Sequence, residues 1–115
     1  MQRRFRLTRS TDFKRVRRFG KSYAHPFVVL VAQASDQPKV RVAVTAGRTV
    51  GNAVKRNRAK RLLRAAARSL VPDLAPGADL LLIARAPLAD KTMPEARDAL
   101  QVLLRRAGLL TPDAV

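Results

Sequence analysis

The chain has 115 residues, 47% of them apolar and none of them cysteine. That length bounds it to one domain with a modest core, and the missing thiols exclude disulfides, zinc–cysteine sites and thiol chemistry. Twenty-four Lys and Arg against eight Asp and Glu give a net charge of +16, an excess that opposes compactness and points to a polyanionic partner.

The charge is lopsided. Residues 1–68 carry nineteen basic side chains against Asp12 and Asp36, whereas residues 69–115 carry five against six acids. The first part is expected to meet the partner and the second to serve as scaffold. The apolar stretches Phe27 to Ala32 and Leu80 to Ala84 fall far short of the roughly 20 residues of a membrane span. No apolar signal core follows the basic start. The expectation is a cytoplasmic protein without a membrane partner, one domain over residues 1–115, loose at about 1–6 and 109–115.

In chain order, Ser10-Thr11-Asp12 is a helix start, a hydroxyl followed by an acid in the first turn. Phe13 and Val16 make a narrow apolar stripe among Lys14, Arg15, Arg17 and Arg18, and Gly20 fits a helix stop, so a helix is predicted over about 11–19. Residues 22–33 alternate at period two. Read as one strand, they put Tyr23, His25, Phe27, Val29 and Val31 on one face and Ala24, Val28, Leu30 and Ala32 on the other. Pro26 removes a ladder donor and predicts an edge or a break there. Residues 35–38 read as a turn, and residues 40–46 as a strand with Val40, Val42 and Val44 inward. A hairpin between the strands of 22–33 and 40–46 is the natural pairing.

Asn52 is a good cap for a helix over about 53–70, ended by Pro72, Pro76 and Gly77. Asp79 to Ala84 is apolar on both faces, as a covered central strand requires. Thr92 and Glu95 form a capping box that opens a last helix, with Ala96, Ala99, Leu100, Leu103 and Ala107 inward and Gly108 at its close. The order is α-β-β-α-β-α, or α-β-β-β-α-β-α if Pro26 splits the first strand. The predicted class is α+β: a small α/β sandwich with one central sheet of three or four strands and three helices.

The helix over 53–70 is the most informative segment. At about 100° per residue, Ala59, Leu62, Leu63, Ala66 and Leu70 gather on one arc. Arg56, Lys60, Arg61, Arg64 and Arg68 gather on the neighbouring arc, around Asn57. No acid occurs between Val40 and Val71, so these cations repel one another at i, i+4 spacing. A merely solvated helix intersperses Glu with Lys; an unbroken cationic ridge is a phosphate-binding surface. A DNA-binding module would want a helix-turn-helix turn or a dimer seam, and neither is present.

The segment from Gly51 to Arg64, with Arg56-Asn57-Arg58 followed by Lys60-Arg61, resembles the signature of the bacterial ribonuclease P protein family. Leu7, Asp12-Phe13-Lys14 and Gly20, then Phe27 to Leu30, Val42 to Val44 and Asp79 to Arg85 follow the family's order, so the resemblance spans about residues 7–106. It implies a subunit of a ribonucleoprotein endonuclease that removes the 5′ leader of precursor tRNA. The RNA subunit performs the hydrolysis with Mg2+, and the chain itself holds no cofactor and needs no protein partner. It also implies a left-handed crossover between the parallel strands flanking the motif helix, against the general right-handed rule.

By motif match, the resemblance assigns Arg56, Asn57, Arg58, Lys60, Arg61 and Arg64 to the catalytic RNA, with Asn52 and Lys55 at the edge of that surface and Arg68 continuing its cationic arc. It implies a cleft for the single-stranded leader at Phe13, Lys14, Arg15, Arg17 and Arg48, to which Tyr23, Phe27 and Arg41 are added because aromatics flanked by cations suit stacked bases. Phe13 and Phe27 also fit a plain core role, and Asn52 a plain helix cap. Where the family often carries a second aromatic, four residues after the first, this chain has Arg17. Where a second basic residue commonly follows the first, it has Thr49 beside Arg48. The lone His25 has no metal-ligating company, and the scattered carboxylates offer no pair for two-metal nuclease chemistry, so no catalytic or metal-binding residue is expected. A ribosomal or other structural RNA-binding protein would share the charge and the fold class but needs no leader cleft.

Overall fold

The structure, a computed structural model, describes residues 10–74 and 77–110. Three helices and four strands run in the order α1 (Ser10–Phe19), β1 (Lys21–Ala24), β2 (Val28–Ala34), β3 (Arg41–Ala46), α2 (Ala53–Leu70), β4 (Ala78–Ala84), α3 (Met93–Arg106). Pro26 does split the first strand. His25 and Val28 exchange backbone bonds of 2.9 and 3.3 Å across it, and β1 and β2 pair as an antiparallel hairpin.

The sheet order is β1-β2-β4-β3. The hairpin expected between residues 22–33 and 40–46 is therefore not formed. β4 inserts between β2 and β3, antiparallel to the first and parallel to the second. The physical reason lies in β4 itself: Leu80, Leu81 and Leu82 are all buried, a strand apolar on both faces that needs a neighbour on each side. The chain returns from β3 to β4 through α2.

The two faces of the sheet are covered unequally. Val28 and Leu30 of β2, Val42 of β3, and Leu80 and Leu82 of β4 pack against Ala59, Leu63, Ala66 and Leu70 of α2 and Leu100, Leu103 and Leu104 of α3 in one large core. On the other face, Val31, Leu81 and Ala43 meet Val16 of α1 in a core of four buried residues, with Phe13, Val29 and Ile83 partly buried around it.

The helix ends follow the sequence. Asn52 accepts the Lys55 N–H at 3.0 Å, and Thr92 and Glu95 form the reciprocal capping box. Gly20 ends α1 for a different reason than a left-handed turn. A Cβ there would stand 2.5 Å from the Val16 carbonyl oxygen and 2.6 Å from a Val31 methyl, so the close approach of α1 to β2 demands glycine. At the other end, Leu110 is buried and bridges to Leu74, so residues 109–110 are not the loose tail expected. Residues 1–6 and 111–115 lie outside the described residues.

Candidate RNA-binding surfaces

α2 presents the cationic ridge as the helical arcs require. Its inner side buries Ala59, Leu63, Ala66, Ala67 and Leu70. Lys55, Asn57, Arg58, Arg61 and Arg68 are exposed, and Arg56, Lys60 and Arg64 are half-buried along the flank. Asn52, at the N-cap, is exposed beside them. Among the described residues the ion pairs converge on Asp12 and Asp79, and none involves α2. Arg58 differs from its neighbours: its Nε–H donates to the Ala89 carbonyl at 2.7 Å, tying the motif helix to the turn that follows β4.

The α1 face of the sheet is built in three rows, because residues paired across strands share a face. Gln33, Asp79 and Arg41 form the first row; Val31, Leu81 and Ala43 the second; Val29, Ile83 and Thr45 the third. α1 spans the first two. Its Arg15 bonds Asp79 at 2.5 Å and also bonds Gln33, and its Val16 fills the second row. The third row stays half-buried, and its Val29 and Ile83, like the half-buried Phe13, pack against the small core. Lys14 and Arg17 are exposed on the same helix as Phe13. Arg48, also exposed, begins the short turn that follows β3.

At the end of β4, Ile83 and Ala84 open into a depression of about 780 Å3 lined also by Ala24, His25, Pro26, Thr49, Arg85 and Pro87. Arg85 was not singled out in the sequence. It is exposed, and its Nη1 lies 3.5 Å from the His25 carbonyl. Its position at the end of a central strand, where β4 leaves the sheet, is the signal that could have found it.

Four of the residues assigned to the cleft stand differently from the sequence reading. Tyr23 and Phe27 pack on the large core, on the other face of the sheet from Phe13. The turn at Pro26 reverses the chain and resets the alternation: Tyr23 pairs with Leu30 and shares its face, rather than that of Val29 and Val31. Lys91 Nζ sits 4.8 Å from the centre of the Phe27 ring and His25 packs edge-on at 4.9 Å, so the half-buried Phe27 has partners within its own chain. Arg15 and Arg41 do face the cleft side, but their guanidiniums are committed to Asp79. Those hydrogen bonds hold both arginines firmly protonated. Burial opposes the charge on Asp79, yet the bonds from Arg41 and Arg15 outweigh it and keep the carboxyl below its ordinary range. Phe19, in contrast, is 66% exposed, with the Arg18 guanidinium 5.3 Å from its ring.

The comparisons with known proteins agree with one another. The model of the Ribonuclease P family matches residues 1–108. The ribonuclease P protein component of Lactiplantibacillus plantarum is 38% identical over 114 residues, covering 98% of this chain and all of that one. That of Bacillus cereus is 36% identical over 110 residues, covering 95% and 96%. The solved RNase P protein of Staphylococcus aureus superposes with a TM-score of 0.81 at 26% identity over 93% of this chain and 98% of that one. The Thermotoga maritima protein does so with 0.77 at 27%, over 88% and 96%.

Proposed function

Since the chain belongs to the ribonuclease P protein family, and is thereby a subunit of the ribonucleoprotein that matures the 5′ end of tRNA, we propose that its two surfaces divide the work. The ridge of α2 binds the catalytic RNA, through Asn52, Lys55, Arg56, Asn57, Arg58, Lys60, Arg61, Arg64 and Arg68. The cleft beside α1 binds the leader of precursor tRNA, through Phe13, Lys14, Arg17 and Arg48. The observation that carries this reading is the unbroken basic face of an 18-residue helix whose opposite face is locked into the core. Such a ridge neutralises phosphates along an RNA backbone without moving. Phe13 supplies a half-buried aromatic face, with cations on its own helix, and suits an unpaired base.

Hydrolysis belongs to the RNA. Among the described residues the carboxylates that come together, Asp12 and Asp79, share Arg15 and Arg41 as partners, an arrangement that does not fit a divalent cation. The Mg2+ of the reaction is placed with the RNA subunit. Among the described residues no helix is long and apolar enough to cross a membrane, and we assign the chain to the cytoplasm, where tRNA is made. The test is reconstitution. Added to a bacterial ribonuclease P RNA at low Mg2+, the chain should raise 5′ cleavage of precursor tRNA above that of the RNA alone. Cleavage unchanged by the chain would contradict the reading.

A further inference from the structure

Among the described residues Asp79 is the one charged side chain with no exposure at all (0%), and neither surface described above uses it. It lies on β4, the central strand, where an unpaired carboxylate would be driven towards its neutral form. It is paired twice instead. Arg41 of β3 donates from Nε and Nη2, each at 2.9 Å, and Arg15 of α1 donates from Nη2 at 2.5 Å. Asp12 of α1 closes the ring, 3.3 Å from Arg15 and 3.6 Å from Arg41.

This quartet does what the small core under α1 does not. Val16 is the one buried side chain of that helix among those described, and an apolar contact sets how closely a helix lies on a sheet without fixing its direction. Planar guanidiniums on a shared carboxylate are directional. Arg15 is one residue before Val16 and two after Phe13, so the register imposed at Asp79 is also the register at which Phe13 packs on the small core that Val29 and Ile83 border. We propose that Asp79 is a positioning residue of the leader cleft: by holding Arg15 of α1 and Arg41 of β3 on one buried carboxylate, it fixes where α1 crosses the sheet and hence where Phe13 can receive a base. The proposal rests on the cleft reading given above.

The experiment uses holoenzyme reconstituted from the full chain and ribonuclease P RNA, wild type and Asp79→Asn. Dissociation constants are measured for precursor tRNA with a long leader, for mature tRNA, and for the chain on the RNA. The variant should keep wild-type affinity for the RNA and for mature tRNA. It should lose about tenfold on the leader-bearing substrate, within the range that one lost base stack produces. A purely structural role would reduce all three through the folded fraction and leave the ratio between the two tRNAs unmoved. Asp12→Asn opens the ring at a half-buried position while leaving the bonds of Asp79 in place. It should shift the same ratio in the same direction by less, and it gives the answer if Asp79→Asn does not fold. An unchanged ratio in Asp79→Asn, or in Asp12→Asn if the first variant is unfolded, overturns the proposal. A wild-type holoenzyme that binds both tRNAs equally overturns the cleft reading itself, and the positioning role with it.

Discussion

Under α2 and α3 the sheet buries Val28, Leu30, Val42, Leu80 and Leu82 against leucines from both helices, whereas under α1 it buries Val31, Leu81 and Ala43 against Val16 alone. The large core leaves the outer side of α2 free to carry cations with no acid among them. Its three successive i, i+4 pairs from Arg56 to Arg68 repel by about 1 kcal/mol in total, less than the roughly 1.5–3 kcal/mol from burying one leucine. The small core supports α1 differently. Directional ionic bonds at Asp79 supplement the apolar contact, and the third row of the sheet is left half-buried. One face thus rests on a large apolar core and the other on a small core with ionic support, which suits the division of surfaces proposed above.

The sharpest way to break this comparison is to hollow each core. Leu63→Ala, on the inner side of α2, should lower stability by about 2–5 kcal/mol in denaturant unfolding, and Val16→Ala by about 2 kcal/mol. A larger loss at Val16 than at Leu63 would contradict the inequality of the two cores. Acid probes the ionic support. The folded carboxyl of Asp79 is held below its unfolded value near 3.9. Its contribution is therefore complete above about pH 4 and lost as pH falls through the lower folded value. Removing one partner of a buried pair costs about 3–5 kcal/mol, and less here because both arginines are partly exposed. The melting gap between wild type and Asp79→Asn should stay constant from neutral pH to about 4 and close below it; a gap that persists at the lowest pH would contradict the assignment.

A smaller effect is expected at Phe13. Phe13→Ala should cost about 1–3 kcal/mol in affinity for leader-bearing precursor tRNA and nothing for mature tRNA. A loss of about 3–5 kcal/mol in stability, with both tRNAs weakened alike, would make Phe13 a core residue instead. The smallest effect on the fold belongs to the ridge. Arg56→Ala and Arg61→Ala should change stability by less than about 0.5 kcal/mol while weakening assembly with the RNA. The logarithm of that affinity should fall linearly with the logarithm of salt concentration, as released counterions demand.

What the sequence revealed and what it concealed follow from the range of the interactions. The span of α2, the Asn52 cap and the Thr92–Glu95 box depend on neighbours three or four residues away, and all are as expected. The break at Pro26 is also local. Its consequence, that Tyr23 turns to the face of Leu30, depends on pairing across the hairpin, and a single run of alternation from 22 to 33 hid it. The strand order was lost for a related reason. Period two says which face a residue takes but not which strand lies beside it, and the short separation of β2 and β3 suggested a partnership that β4 pre-empts. The ridge was legible because its charge needs no partner within the chain. The ring at Asp79 was not, since it joins residues 38 and 64 apart.

The central claim is that the two surfaces are separable, and one paired measurement tests it. Arg61→Ala and Phe13→Ala are each assembled with ribonuclease P RNA, and two quantities are read for each: affinity of the chain for the RNA, and the ratio of affinities for long-leader precursor and mature tRNA. Arg61→Ala should lower the first and leave the ratio alone, while Phe13→Ala should leave the first and lower the ratio. If either variant depresses both quantities together, the ridge and the cleft are one surface and the account is wrong.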